Sequence, residues 1–383
     1  MRSWSDGYHH LVGLAFLLVV AGNVPTREEP DIERGRALVM THACTFCHSG
    51  GTFDPAGTGY LAGMRTPADE VTIEGFKTRP RNLTPDNETG LGRFSERQIF
   101  NALRYGLRPG ETPDVEITSS TPGKGNFPSR PKYLAPPMPW PDWRHMSDRE
   151  LRDIAAYLKR AVKPVKNRVA DSEGPPDFWA SYYAKKIGPH PAPAFPTANE
   201  IAITAADGET RVQQGRALVI HHGCGDCHGG TDNPGAEGWL SGARTETDTF
   251  QVGPFATRAR NLTPDTETGL GRFTERQIFN ALRFGLSPSA TPDVEITSTT
   301  PGQGNYPAQP KYLAPPMPWP AWRHMTDQEL RDIAAYLRRG LKPVKNRVAD
   351  SQHPPDFWAS GYTVEAIGPY PASPFPTANE RVP

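Results

Sequence analysis

The sequence predicts a mainly α protein made of two tandem domains, each with about three main helices joined by long Pro/Gly-rich loops. Three observations support this prediction: a five-residue motif occurs twice, the surrounding residues recur at a nearly fixed offset, and each copy contains three helical patterns. Proline accounts for 42 of the 383 residues, about twice its average usage. That composition favours stiff, irregular connections between short helices.

The internal duplication defines the domains. Residues from about 31 to 200 recur from about 211 to 380, and residues 81–108 match residues 260–287 at 24 of 28 positions. Each copy ends in a Pro-rich tail with shared segments at 175–181 and 354–360, and again at 195–200 and 375–380. We therefore expect domains at 31–200 and 211–383, joined by a linker at 201–210.

Local signals set the helix boundaries. The first helix of each domain is predicted to run from about Asp31 into Cys44 and from about Thr210 into Cys224. The second and third helices should start at capping boxes, in which a Ser or Thr is followed three residues later by Gln or Glu. These pairs are Ser95 with Gln98, Thr274 with Gln277, Ser147 with Glu150, and Thr326 with Glu329. Pro164 and Pro343 should end the third helices. The nearly 40 residues between second and third helices show no helical period, which indicates a long loop.

The repeated motif is Cys-x-x-Cys-His, at Cys44–His48 and Cys224–His228. Two cysteines three positions apart lie on one helical turn and can form thioethers to both vinyl groups of one porphyrin. The next histidine then faces the iron, so this is a c-type haem attachment signature. A dithiol redox site, half a zinc site or a strained disulfide are the alternatives, but the histidine present in both copies favours haem. We predict two haem c groups, attached covalently at Cys44, Cys47, Cys224 and Cys227, with iron bound by His48 and His228.

The second axial ligand should occupy equivalent positions in both domains. Met40 and Met64 have no counterpart, which leaves three pairs: Met138/Met317, His145/His324 and Met146/Met325. Met138 and Met317 are favoured because each lies in the rigid segment Ala-Pro-Pro-Met-Pro-Trp. The histidine pair is the alternative and would give bis-histidine sites of lower potential, although a hydrogen bond near the helix start is its expected role.

Several other residues have expected roles near the porphyrin. Met146 and Met325 are expected in the core, and His42 and His222 at the surface or at the haem edge. Buried propionates need hydrogen-bonding partners. The candidates are Arg79, Arg81, Asn82, Trp140, Arg258, Arg260, Asn261 and Trp319. For the arginines a solvated surface position is an equal alternative, and the asparagines could serve only to form a turn.

The N-terminus and the charge balance point to a location and exclude one class of partner. An apolar stretch at residues 11–21 follows Arg2 and precedes small residues, which is typical of a secretory signal peptide at residues 1–22; an uncleaved N-terminal anchor is the alternative. Haem attachment to this motif takes place outside the bacterial inner membrane, so we expect a periplasmic protein, with tethering to that membrane as a variant.

The 42 basic and 42 acidic residues give no net charge, and no nucleic-acid partner is expected.

The motifs together resemble a known family. Cys-x-x-Cys-His, then Asn-Leu-Thr-Pro-Asp at 82–86, Thr-Gly-Leu-Gly at 89–92 and Pro-Met-Pro-Trp before the last helix resemble class I cytochrome c domains. Such domains occur in the cytochrome subunits of bacterial alcohol and gluconate dehydrogenases. The resemblance implies small cytochrome c-like domains with His/Met haem iron. Those subunits typically have three haem domains, whereas this chain has two and carries an insertion at 112–132.

These observations predict a di-haem electron carrier rather than an enzyme. Its partners would be a donor, such as a dehydrogenase or quinol-oxidising complex, and an acceptor oxidase or reductase. One alternative is a cytochrome subunit docked permanently on a periplasmic dehydrogenase. The other is a di-haem peroxidase, which needs one iron with a displaceable ligand; residues 134–140 and 313–319 are identical and argue against it.

Overall fold

The structure is a computed structural model that describes residues 29–73, 76–173, 183, 187–245, 248–252, 255–351 and 361–383. The predicted signal segment at 1–22 and the tail segments at 175–181 and 354–360 lie outside the described residues. The described part is mainly helical, as predicted. No helix within it has the length and apolar character needed to cross a membrane.

The same elements occur in the same order in both repeats. The first repeat contains α1 (Ile32–Thr41), α2 (Cys44–His48), α3 (Glu96–Tyr105), α4 (Trp140–Trp143) and α5 (Asp148–Ala156). The second contains α6 (Glu209–His221), α7 (Cys224–His228), α8 (Glu275–Phe284), α9 (Trp319–Trp322) and α10 (Asp327–Ala335), and α11 (Val364–Ile367) lies near the C-terminus. A π-helical turn extends α5 through Ala161 and α10 through Gly340.

Each repeat also contains one short antiparallel hairpin. Strand β1 (Val71–Ile73) pairs with β2 (Phe76–Thr78), and β3 (Thr249–Val252) pairs with β4 (Phe255–Arg258). The hairpins precede the segments whose carbonyls bind the motif histidines, as described below.

All four predicted capping boxes are confirmed. At the start of α3, the Gln98 backbone N–H donates to the Ser95 hydroxyl at 3.1 Å, and the Ser95 N–H donates to the Gln98 side chain at 3.0 Å. The same reciprocal pairs begin α5, α8 and α10. Gly106, with φ 67°, ends α3 in the left-handed conformation that glycine adopts without steric cost.

The prediction of a first helix that continues into the motif is wrong. Helix α1 ends at Thr41, and Ala43 adopts a left-handed conformation with φ 56° before α2 begins at Cys44. In the second repeat Gly223, with φ 68°, makes the same break between α6 and α7. The break redirects the chain, so that the motif forms a separate helical turn.

The core of each repeat depends on a close helix crossing. A Cβ atom on Gly35 of α1 would lie 2.1 Å from the Asp153 carbonyl oxygen of α5, and one on Gly215 of α6 would lie 1.9 Å from the Asp332 carbonyl oxygen of α10. Only glycine allows the two backbones to approach this closely. The apolar side chains of the first, second and third main helices pack around this crossing in both repeats.

The Pro-rich tails cross over. Residues 193–201, at the end of the first repeat, pack on the second repeat, whereas the C-terminal residues 373–381 pack on the first. Glu380 pairs with Arg36 at 2.6 Å and accepts a hydrogen bond from Tyr157. Glu200 makes the equivalent pair with Arg216, also at 2.6 Å, and accepts from Tyr336. Both glutamate side chains are fully buried.

A polar contact also joins the repeats near the motif of the second. Arg144, at the end of α4, pairs with the buried Asp232 at 2.6 Å. The backbone N–H of Gly188 in the first tail donates to the other carboxylate oxygen of Asp232, also at 2.6 Å. Phe53, the residue equivalent to Asp232 in the first repeat, packs instead into the apolar core of the second.

Candidate haem sites

The two motif histidines are oriented by the same backbone contact. His48 Nδ1 lies 2.6 Å from the Arg81 carbonyl oxygen, and His228 Nδ1 lies 2.6 Å from the Arg260 carbonyl oxygen. A carbonyl can only accept, so Nδ1 carries the hydrogen and Nε2 keeps its lone pair, the arrangement usual for metal-bound histidine. Burial lowers the pKa of both imidazoles, which favours the neutral form that binds metals.

The motif cysteines do not have the properties of a reactive dithiol. All four are free thiols, and burial raises the pKa of Cys44 and Cys224 to about 12. Reactive dithiols instead have a lowered pKa that produces a thiolate. Cys47 and Cys227 are exposed, so each motif has one thiol facing the core and one facing outward.

The methionine segments lie against the same cores as the motifs. Met138 and Cys44 are both partly buried against the core of the first repeat, and Met317 and Cys224 against that of the second. The Leu134 N–H donates to the Gly106 carbonyl at 2.7 Å and fixes the start of the segment next to the end of α3.

A tryptophan fixes the other end of each methionine segment. A Cβ atom on Gly106 would lie 2.2 Å from the ring of Trp140, and one on Gly285 equally close to Trp319. The indole therefore rests directly on the helix terminus, and the segment that carries the methionine is held at both ends.

The competing ligand candidates have other contacts. His145 Nε2 lies 3.3 Å from the Asp232 carboxylate, consistent with the hydrogen-bonding role expected for it, and His324 lies 3.4 Å from Arg323 Nε. Met146 and Met325 are 2% and 3% exposed within the cores, which confirms their predicted packing role.

Of the two positions expected for His42 and His222, the surface position is wrong for His42, and the haem-edge position stays a prediction. His42 is only 7% exposed, and its ring stacks on that of His222 with 4.1 Å between centroids. Both lie where the C-terminal ends of α1 and α6 meet, directly before the left-handed residue that precedes each motif.

The arginines proposed as propionate partners are engaged by protein groups. Arg79 pairs with Glu70 and Glu173, and Arg81 donates to Asp171 and to two neighbouring carbonyls. Arg260 makes the equivalent contacts with Asp350 and carbonyls 348 and 349, and Arg258 approaches the Asp350 carbonyl. Sequence reasoning singled out these side chains but missed the Arg81 and Arg260 carbonyls, which no residue pattern reveals.

The side chains of the two candidate asparagines form hydrogen bonds within the protein. Asn82 accepts from Thr84 and donates to the Val165 carbonyl, and Asn261 repeats these bonds with Thr263 and Val344. Both asparagines therefore organise the loop after the hairpin.

No family model matches the chain, but curated proteins do. It is 28% identical over 327 residues to the gluconate 2-dehydrogenase cytochrome c subunit of Pantoea cypripedii, covering 80% of this chain and 59% of that protein. It is 23% identical over 338 residues to the cytochrome c subunit of the quinone alcohol dehydrogenase of Gluconobacter oxydans, covering 85% and 58%. A "diheme cytochrome c-type" protein of Cereibacter sphaeroides is 28% identical over 125 residues, 32% of this chain and 34% of that protein.

The chain is similar to cytochrome c subunits of bacterial dehydrogenases. This similarity confirms the family resemblance that the motifs predict. The chain spans about three fifths of the length of the first two relatives, at 59% and 58%.

The relatives imply haem c as the bound group. Whether this group fits the site can be judged from a buried hydrogen-bond donor that lacks an acceptor. The indole N–H group of Trp140 is buried and has no acceptor among the described residues, whereas that of the equivalent Trp319 lies beside the Tyr362 hydroxyl. A buried donor without a partner costs about 1–3 kcal/mol, and a haem propionate would satisfy it. The residues present, including neutral histidines with free Nε2 atoms, fit haem c.

Proposed function

We propose that this chain is an electron-transfer cytochrome with two haem c groups, one in each of two domains at 31–200 and 211–383, joined by a linker at 201–210, with the last residues of each domain packed on the other. The observation that carries the proposal is the duplicated arrangement of a motif histidine with Nε2 free and a methionine held against the same core. The similarity to cytochrome c subunits supports the same class of function.

Each domain would hold its cofactor through the same residues. Cys44 and Cys47 would form the thioethers and His48 would bind the iron, with Cys224, Cys227 and His228 in the second domain. The bound haem would supply the one-electron Fe(III)/Fe(II) couple. The Arg81 and Arg260 carbonyls would keep the imidazoles in one tautomer and orientation, which increases their basicity as ligands.

Met138 and Met317 would be the second axial ligands. A thioether ligand raises the potential relative to a second histidine, and a rigid ligand segment keeps both oxidation states six-coordinate. The methionine segment, with its anchors on Gly106 and Gly285, is the same in both repeats. This equality disfavours a peroxidase, which needs one iron that opens to substrate.

Trp140 would donate to a haem propionate through its unsatisfied N–H group, and Trp319, whose N–H lies beside the Tyr362 hydroxyl, would do so at the equivalent position. For Arg79, Arg81, Arg258 and Arg260 the observed ion pairs and carbonyl contacts are compatible with a position at the outer edge of the site. Asn82 and Asn261 would act through the loop that they organise.

We further propose a periplasmic location and redox proteins as partners. The names of the relatives, which describe subunits of gluconate and alcohol dehydrogenases, support a dehydrogenase as the electron donor. Docking as a subunit of such a dehydrogenase is the second candidate function. Co-purification of the full chain with a dehydrogenase at constant stoichiometry would favour it over a freely diffusing carrier.

A pair of methionine variants tests the ligand assignment. We expect ferrous Met138→Leu to bind one carbon monoxide per chain, because leucine keeps the volume but offers no lone pair to iron. Met317→Leu should do the same at the second haem, and the double variant should bind two. Carbon monoxide titration followed in the Soret band measures the stoichiometry.

Met146→Leu is the matched control, since Met146 is a buried core methionine near the same segment. It should bind no carbon monoxide. Equal binding by Met138→Leu and Met146→Leu, or no binding by either, would contradict the assignment of Met138.

A further inference from the structure

Three histidines from the two repeats meet in one buried cluster. His42 comes from the end of α1, and His221 and His222 come from the end of α6. His42 Nε2 lies 3.1 Å from His221 Nδ1, and one ring nitrogen from each histidine lies within 4.8 Å of those of the other two. His42 and His221 are 7% and 5% exposed.

Backbone carbonyls fix which nitrogen of the cluster is free. His42 Nδ1 lies 2.9 Å from the Leu38 carbonyl, so Nδ1 donates and Nε2 carries the lone pair. His222 bonds to the Thr41 backbone, while its Nδ1 is buried and has no partner among the described residues. A carbonyl behind an imidazole is the usual second contact of a metal-bound histidine.

We propose that His42, His221 and His222 form a binding site for a divalent transition-metal ion, with Zn²⁺ as the reference ion, at the junction of the two repeats. Three neutral imidazoles with a fourth position open to water are a known zinc arrangement. The site is separate from the motifs that we assign to haem, and it does not depend on the proposed electron-transfer function.

The geometry requires a modest adjustment. Tetrahedral zinc with Zn–N distances of about 2.0 Å places ligand nitrogens about 3.3 Å apart. The His42–His221 separation of 3.1 Å already agrees with this value, and His221, whose Nδ1 donates to His42 Nε2 in the metal-free protein, would carry its hydrogen on Nε2 when it binds the ion. The His222 ring, now stacked 4.1 Å from that of His42 at an interplanar angle of 18°, must turn about its Cβ–Cγ bond to direct Nδ1 at the ion.

The protonation state of the cluster favours metal binding. Burial, together with the neighbouring His221, lowers the pKa of His42 to about 3, and burial lowers that of His221 to about 4. The imidazoles are therefore neutral at neutral pH and need lose no proton to bind an ion.

A buried carboxyl group lies beside the residue that follows His222, and burial together with the neighbouring Asp226 raises its pKa well above the usual value. Asp142 is 1% exposed, and its Oδ2 would lie 2.9 Å from a Cβ atom on Gly223, the residue that follows His222.

The test is calorimetric titration of the full-length haem-loaded protein with Zn²⁺ after treatment with a chelator. We expect one Zn²⁺ per chain. His221→Thr should weaken binding by at least about 100-fold, because loss of an outer contact alone costs 10–100-fold. Thr is the residue that the first repeat has at this position, Thr41, so the substitution suits the local structure.

His190→Asn is the control, since His190 is an exposed histidine bonded to the Arg144 carbonyl outside the cluster. It should bind Zn²⁺ like the wild type. X-ray absorption at the zinc edge of the wild-type protein gives an independent result, with three nitrogen neighbours at about 2.0 Å expected. Absence of a stoichiometric site in the wild type, equal affinity in His221→Thr, or fewer than three nitrogen neighbours would overturn the proposal.

Discussion

The crossed tails make a specific prediction about Glu380. Glu380→Gln removes the negative charge from a fully buried side chain that pairs with Arg36, itself 11% exposed, and accepts from Tyr157. Breaking a buried ion pair by removing one partner costs about 3–5 kcal/mol. We expect about 3 kcal/mol, the lower end of this range, because Arg36 keeps a second bond to the Ser373 carbonyl.

The location of the effect distinguishes crossed tails from tails that fold back on their own repeat. Although Glu380 belongs to the second repeat in sequence, its substitution should destabilise the first. Hydrogen exchange followed by mass spectrometry should show faster exchange in α1 (Ile32–Thr41), with α6 (Glu209–His221) unchanged. Chemical denaturation of the same variant measures the loss in unfolding free energy.

Two further variants complete the experiment. Glu200→Gln should produce the opposite pattern, with faster exchange in α6, because Glu200 pairs with Arg216 there. Glu88→Gln is the control: its pair with Lys166 is exposed on both sides and should contribute little. Faster exchange in α6 rather than α1 for Glu380→Gln would refute the crossed arrangement.

Two other predictions concern the core and the histidine cluster. Gly35→Ala should lower the unfolding free energy by about 1–3 kcal/mol through overpacking, because its Cβ would lie 2.1 Å from the Asp153 carbonyl oxygen; a denaturation midpoint equal to that of the wild type would contradict the close crossing. In the metal-free protein, the lowered pKa of His42 (about 3) and His221 (about 4) means that the unfolded chain takes up protons first as pH falls below about 6.5. Stability should therefore decrease from pH 6.5 toward pH 4, by up to about 1.4 kcal/mol per pH unit for each imidazole. Urea midpoints across this range should fall less steeply in His221→Thr, and equal slopes would contradict a buried neutral cluster.

Local chemistry made parts of the fold predictable. The capping boxes at Ser95, Ser147, Thr274 and Thr326 involve residues three apart, so the sequence alone contains both partners. The break at Ala43 was not predictable in the same way. A left-handed alanine is uncommon, and the helical pattern continues through it without a glycine in the first repeat.

The crossed arrangement of the tails could not be predicted from the sequence, because the two repeats are so similar. The segments 195–200 and 375–380 are identical, and Arg36 and Arg216 occupy equivalent positions, so either tail could pair with either repeat. Only the three-dimensional path of the chain decides between the two arrangements. The interface contact between Arg144 and Asp232 was also hidden, since the equivalent of Asp232 in the first repeat is Phe53.

The search for axial ligands explains why the histidine cluster was missed. Requiring equivalent residues in both repeats leads to symmetric pairs such as Met138 and Met317, and it never considers His221, whose counterpart is Thr41. A site formed once between two repeats does not follow their symmetry. The unequal residues of a duplicated protein are therefore informative about its junction.

The most direct test of the proposed di-haem carrier is the near-infrared spectrum of the oxidised protein, which contains the methionine–iron charge-transfer band of His/Met haem. We predict band intensity for two haems per chain, falling by half in Met138→Leu and disappearing in the double variant with Met317→Leu. Intensity for one haem would make the two sites unequal and favour a peroxidase. No band in the wild-type protein would contradict methionine ligation and assign the axial positions to other residues, with His145 and His324 as the first candidates.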